Sequence, residues 1–150
     1  MSIQIRAEDH YAGFWERFSA MFIDSIILTI GGYLIGVIFG LLLVGLGVDL
    51  GTIQTNAEGF GSILGIVEGW LYYTLLESST KQATLGKMIM GIFVTDLNGN
   101  RISFGRANGR YWGKCVSFIT LYIGFIMAGF TQKKQALHDI MAGTLLIKKD

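Results

Sequence analysis

The chain contains no proline, a single cysteine and two histidines, and only 15% of its 150 residues are charged. Soluble domains usually carry about a quarter charged residues, so this deficit excludes a disordered chain and argues against a soluble enzyme. Cys115 alone cannot form an internal disulfide, which leaves the redox compartment open, and with only His10 and His138 beside it no metal site is expected. A net charge of +1 lacks the concentrated basic surface that phosphate backbones require, which excludes nucleic acid as a partner. No low-complexity tract and no repeat of domain size occurs, and the length fits one domain over residues 1–150. One absence is local: no lysine or arginine lies between Ile26 and Thr80.

What is present is hydrophobic, at 51% of residues with a mean hydropathy of +0.50, and it is arranged in blocks. Ser25 to Val48 runs uncharged and is long enough, at 1.5 Å per residue, to cross a hydrocarbon core of roughly 30 Å. Helical-looking residues precede it (YAGFWERFSAMFID), so it reads as an uncleaved anchor rather than a secretory signal. Asp49 to Glu58 reads as a short polar loop. Phe60 to Leu76 reads as a second span at its lower length limit, interrupted by Glu68. A third block, Cys115 to Phe130, contains Gly124 and Gly129 and is short for a full crossing, which suits a re-entrant or broken segment. The expected fold is therefore an all-α polytopic membrane protein, with two transmembrane helices and a third short or re-entrant hydrophobic segment.

A small cytoplasmic β element is expected beside these helices. TLGKMIMGIFVTD reads as a glycine-punctuated strand, and Asn98-Gly99 is a strong two-residue hairpin signal. The tail reads as a short helix (QALHDIMAG) and a strand (TLLIKK) able to pair with GIFVTD. Cytoplasmic segments are enriched in lysine and arginine. Arg6 and Arg17 precede the first span, Lys81, Lys87, Arg101, Arg106, Arg110 and Lys114 fill the connector, and Lys133, Lys134, Lys148 and Lys149 lie in the tail. Both termini and the connector are thus expected in the cytoplasm, with the Asp49 to Glu58 loop outside, in a multi-pass protein of the cell membrane.

Glycines recur every fourth residue in three sets: Gly32, Gly36 and Gly40; Gly61, Gly65 and Gly69; Gly105, Gly109 and Gly113. Such spacing clears a stripe on a membrane helix for a neighbouring backbone, within the chain, in a second copy or in a partner membrane protein. Arg17 and Asp24, seven residues apart, share a helix face. Asp24 stands at the start of the uncharged run, where a carboxylate either solvates at the headgroups or serves a function. Glu68, near the centre of the second span on the face of Gly61, Gly65 and Tyr72, could bind a cation, relay a proton, or be held protonated against Tyr72 or a carbonyl. His138 and Asp139 are adjacent on a short helix and are expected to diverge by about 100° rather than form a dyad. TLGKM lacks the glycine and the hydroxyl residue of a phosphate loop, and no serine sits in a nucleophile elbow. No enzyme activity and no cofactor are expected.

Three separated blocks, YAGFWERFSAMFIDSIIL, TLGKMIMGIFVTDLNGNRISFGRANGRYWGK and ALHDIMAGTLLIKK, together resemble the RDD family of small membrane proteins over nearly the whole chain. The family is named for one arginine and two aspartates, which by position in these blocks correspond to Arg17, Asp24 and Asp139. The resemblance implies a bacterial-type cytoplasmic membrane protein, and a few members are linked to exchange of sodium, lithium or potassium for protons. Two functions follow as expectations. One is a structural or accessory membrane role, in which an Arg17, Asp24 and Asp139 cluster clamps the fold and the glycine stripes pack helices. The other is cation/proton exchange using Asp24, Glu68, Asp139 and Arg17.

Overall fold

The computed structural model describes residues 10–119 and 123–149. In chain order these form β1 (His10–Tyr11), α1 (Phe14–Gly45), α2 (Leu50–Ser78), α3 (Leu85–Ile89), β2 (Ile92–Asp96), α4 (Phe104–Ile119), α5 (Ile123–Ile126), a 3-10 turn (Met127–Gly129), α6 (Leu137–Ala142) and β3 (Thr144–Lys148). They make two compact units: one holds Ser25–Leu71, the other the described residues up to Asp24 together with those from Tyr72 onward.

The Ser25–Leu71 unit is a helical hairpin. At 32 residues α1 is about 48 Å long, and it is the one described helix both long and apolar enough to cross a membrane. Large apolar side chains such as Tyr33, Ile38 and Leu41 are exposed along it, a surface that water tolerates poorly and lipid covers. Helix α1 ends where Gly47 adopts φ +83° and Val48 N–H donates to Leu43 O at 3.1 Å, the left-handed closure that glycine permits. The polar residues expected to form a loop are instead the first turns of α2. Asp49 caps this helix, accepting from Thr52 N–H at 2.9 Å and from Thr52 Oγ1 at 2.5 Å, which satisfies donors that a helix start leaves open. The expected second span, Phe60 to Leu76, therefore lies inside a helix that is longer but more polar in its first half.

The two helices run antiparallel. An added Cβ at Gly31 or Gly32 would lie 2.8 Å from a Glu68 carboxylate oxygen, and nearer the hairpin tip the Phe39 and Phe60 rings are 6.5 Å apart. Glu68 thus rests against Gly31 and Gly32, not against the glycines of its own face. Gly69 is buried, whereas a Cβ at Gly36, Gly40, Gly61 or Gly65 would meet nothing within 4 Å. Those four positions do not bring described helices together.

The other unit is built on a three-stranded antiparallel sheet in the order β1-β3-β2. The expected pairing of GIFVTD with TLLIKK is present, with Phe93 opposite Ile147 and Thr95 opposite Leu145. β-branched residues favour this pleated, half-buried setting, and Ile92, Val94 and Leu146 join Ala12, Ala20, Ile102 and Ala107 in the core. Two expectations need correction. TLGKMIM is not strand: Leu85–Ile89 is helical, and Gly91, at φ +69°, turns the chain into β2. Asn98-Gly99 makes a turn, with Gly99 at φ +81° and Asp96 accepting from the N–H groups of Asn98 and Asn100 at 2.9 and 2.8 Å, but no hairpin follows. The chain leads into α4 instead, because β3 from the tail already occupies the neighbouring place in the sheet.

Helix α4 buries Ala107, Arg110, Gly113 and Ser117 on one face, and α6 crosses at Gly113, where a Cβ would lie 3.1 Å from His138 Cβ. In the third apolar block, residues 120–122 lie outside the described residues. At Gly124 an added Cβ would be within 3.0 Å of the Ser117 Cα, whereas seven residues of continuous helix would separate the two by about 10 Å. Ser117 and Gly124 therefore do not lie on one straight helix.

Helix α3 approaches α1 closely. A Cβ at Gly86 would collide with the Ala20 carbonyl and stand 2.8 Å from Asp24 Oδ1. Backbone cannot retreat as a flexible side chain can, so Gly86→Ala should lower stability by roughly 1–3 kcal/mol. Gly36→Ala, facing open space, should leave it unchanged or slightly higher. Thermal melting of both variants in detergent checks this, and equal melting temperatures would contradict the close α1–α3 packing.

Candidate functional site

The site grows from the short helix α6. Asp139 lies in its first turn and reaches back to accept from Ala136 N–H at 3.1 Å, a placement favoured by the open amides of a helix start. The same Oδ2 takes Nη1 of Arg17. Oδ1 takes Nε of Arg110 at 2.8 Å. Arg110 extends its Nη1 to Glu77 Oε2 at 2.5 Å, and Glu77 Oε1 pairs with Lys87 and lies 4.0 Å from Lys114 Nζ. Arg17 is held further by the carbonyls of Ala12 (2.8 Å) and Lys134 (2.5 Å). A chain of alternating charge, Arg17, Asp139, Arg110, Glu77 and Lys87, thus crosses the unit, with Asp139, Arg110 and Glu77 almost wholly buried.

Burial alone would drive these groups toward neutrality, and the chain of charges overrides it. Burial raises Glu77, but Arg110, Lys87 and Lys114 hold it far below the usual carboxylate range. Asp139 is likewise raised by burial and brought well below its ordinary value by Arg110 and Arg17. Arg110 rises, since Glu77 and Asp139 outweigh its desolvation. His138 behaves differently: burial pushes it down to about 3, so its ring is neutral at physiological pH. Its Nε2 comes within 3.5 Å of Asp139 Oδ1, closer than the expected divergence of helix neighbours, because the Asp139 carboxylate folds back toward the helix start. With His138 neutral and both Asp139 oxygens engaged, the contact is not an acid–base couple near neutral pH.

The family residues do not form the single cluster expected. Arg17 and Asp24 are about 10 Å apart along the helix and go to different partners. Asp24, fully buried, accepts from Tyr72 OH at 2.7 Å, Thr84 Oγ1 at 2.6 Å and Gly86 N–H at 2.7 Å. Among the described residues it has no ion pair with a lysine or arginine. Glu68 belongs to the other unit and takes no part. Among the described residues, no group of three or more His, Cys, Asp or Glu side chains is placed to hold a metal ion.

Glu77, Lys87, Arg110 and Lys114 were not singled out as site residues by sequence reasoning, nor was Thr84. Arg110 carried a signal, since its spacing from Ala107 and Ser117 puts an arginine on the buried face of an otherwise amphipathic helix. Glu77, directly after the second apolar run, carried a weaker one.

A long helix that can cross a membrane, attached to a unit closed by buried ion pairs, defines a small membrane protein built around an arginine-centred charge cluster. The chain belongs to the RDD family, whose model matches residues 11–143. It is 40% identical to the uncharacterized protein YxaI of Bacillus subtilis (strain 168) over 148 residues, covering 92% of this chain and 97% of that protein. It is 28% identical to the uncharacterized membrane protein YteJ of the same organism, covering 91% of this chain and 80% of YteJ. A 38% identity to the uncharacterized protein RP437 of Rickettsia prowazekii (strain Madrid E) spans 45% of this chain and 38% of that one. No solved structure matches the chain.

Lys114 gives the site a pH dependence. Its Nζ lies 3.8 Å from the centroid of the Tyr73 ring, and its side chain is 19% exposed. Burial first, with Lys87 and Arg110 adding to it against the pull of Glu77 and Asp139, lowers it from 10.5 to about 7. Between those values the unfolded chain binds more protons than the folded one, so this residue makes stability rise with pH from about 7 to 10.5 and penalises folding below. Denaturation of wild type and Lys114→Met across that window should show the steeper rise in wild type; equal slopes would contradict the assignment.

Proposed function

We propose that this RDD chain is a structural or accessory protein of the cytoplasmic membrane and has no enzyme activity. The observation carrying this reading is the saturation of its acids. Both Asp139 oxygens face arginines, and both Glu77 oxygens face basic side chains, leaving no carboxylate oxygen in that cluster for a carried cation. The cluster acts as a clamp, joining the starts of α1 and α6 with α4 and the end of α2. The helical hairpin is then the part that meets a partner. Open space at Gly36, Gly40, Gly61 and Gly65 suits close approach of a helix from a second copy or another membrane protein.

Two crossings with both termini inside fit this reading. Residues of the amino-terminal segment, the connector and the tail share one sheet, which supports a common side of the bilayer for them, and their lysines and arginines favour the cytoplasmic side.

A second reading, cation/proton exchange, is favoured by two observations. Asp24 is buried without a basic partner among the described residues, and Glu68 sits within the apolar hairpin. Against it stands the lack of internal repeats in the sequence, on which alternating access ordinarily draws.

Thermal stability set beside sodium, potassium and proton flux in proteoliposomes separates the two. As a clamp, wild type carries no flux, and Arg17→Ala loses about 3–5 kcal/mol by leaving Asp139 short of a partner. Wild-type flux that disappears in Asp24→Asn or Glu68→Gln, at unchanged melting temperature, would overturn the accessory reading in favour of exchange.

A further inference from the structure

A groove of about 540 Å³ opens between the start of α1 and the returning segment after α5, lined by Gly13, Phe14, Trp15, Ile126, Gly129, Phe130 and Lys134. Its walls are apolar and conspicuously bare: Trp15 is 74% exposed and Phe130 86%. One charged side chain lines it. The Lys134 ammonium has no acceptor among the described residues, while the nearby Glu16 carboxylate is already engaged by Gly13 N–H at 2.7 Å and Lys148 Nζ at 2.8 Å. Exposed Lys133 follows the same basic trend. An apolar cleft with an unpaired cation at its rim complements an amphiphile with an anionic head.

Two further features bear on the occupant. Trp15, Phe18 and Phe22, all exposed, form one stripe at helical spacing that leads into the uncharged run starting at Ser25. An exposed indole at the head of that stripe suits the headgroup region of a membrane. Lys134 is also held in place. It adopts φ +46°, a left-handed backbone that a side-chain-bearing residue avoids without cause. The cause is visible: its carbonyl accepts from Arg17 Nη2 at 2.5 Å, and its N–H donates to Thr131 O at 2.9 Å. The arginine that clamps Asp139 also fixes the turn carrying the groove's one cation.

We infer that this groove binds a single anionic phospholipid, its phosphate paired with Lys134 and an acyl chain lying between Trp15 and Phe130. The inference depends on residence in the membrane and not on the accessory reading; an exchanger could hold the same lipid.

The test uses the full chain in phosphatidylcholine vesicles, with Trp70→Phe and Trp112→Phe leaving Trp15 as the fluorophore. Brominated phosphatidylglycerol or brominated phosphatidylcholine is titrated in as quencher. Trp15 should report local enrichment of the anionic lipid by about fivefold, the worth of one lysine at an anionic surface. Lys134→Gln should erase the preference, while Lys134→Arg and Lys133→Gln should retain it. Equal quenching by the two lipids, or a preference surviving in Lys134→Gln, would overturn the proposal. Should Lys134→Gln fail to fold, the comparison of the two lipids in the Lys134 protein decides alone.

Discussion

The guanidinium of Arg110, buried between Asp139 and Glu77, is the interaction on which the rest of the structure depends. Removing an ion from water costs several kcal/mol even after relaxation, and attraction repays that only with good geometry and satisfied hydrogen bonds. Here each charge meets the opposite one along a chain running from Arg17 to Lys87. The participants come from the start of α1, the end of α2, α3, α4 and α6, so those elements must reach their native places together or leave an ion stranded. Such a cluster contributes less to net stability than to uniqueness: an apolar core could be as stable, but it would not specify which helix meets which.

The two aspartates that the family resemblance marks are housed by opposite means. Asp139 is neutralised by arginines, whereas Asp24 relies on two hydroxyls and one amide. Dipoles can be supplied by a single neighbouring turn, and Gly86 has no side chain so that the turn can come close enough. The difference bears on function. A carboxylate between two guanidiniums is committed to its place, while one held by neutral donors keeps its chemistry open, and for that reason Asp24 rather than Asp139 is the residue at which the exchange reading stands or falls.

Elements whose cause is local were legible in the sequence. The apolar run in α1 and the GIFVTD and TLLIKK strands each follow from periodicity or composition within a short window. The start of α2 was misread because its polar residues look like a loop unless Asp49 is recognised as a cap. The Asn98-Gly99 signal specified a turn truthfully but not which strand pairs with β2, since that is decided by the distant tail. The charge cluster was least legible. Arg17 and Asp139 were marked by the family blocks, yet Asp139's second partner, Arg110, and the acid beyond it, Glu77, are joined only by the fold. Seven residues of helix separate Arg17 from Asp24, enough to send them to different neighbours although they share a face.

A double-mutant cycle on Glu77 and Arg110 tests the central claim most directly. Glu77→Met and Arg110→Met, measured by reversible denaturation in detergent, should each destabilise strongly by stranding a buried charge. Their combination should cost less than the sum of the two by about 2 kcal/mol or more, within the range for residues that share one network. Strict additivity of the two substitutions would mean that the pair is not coupled, and that the fold does not rest on its buried chain of charges.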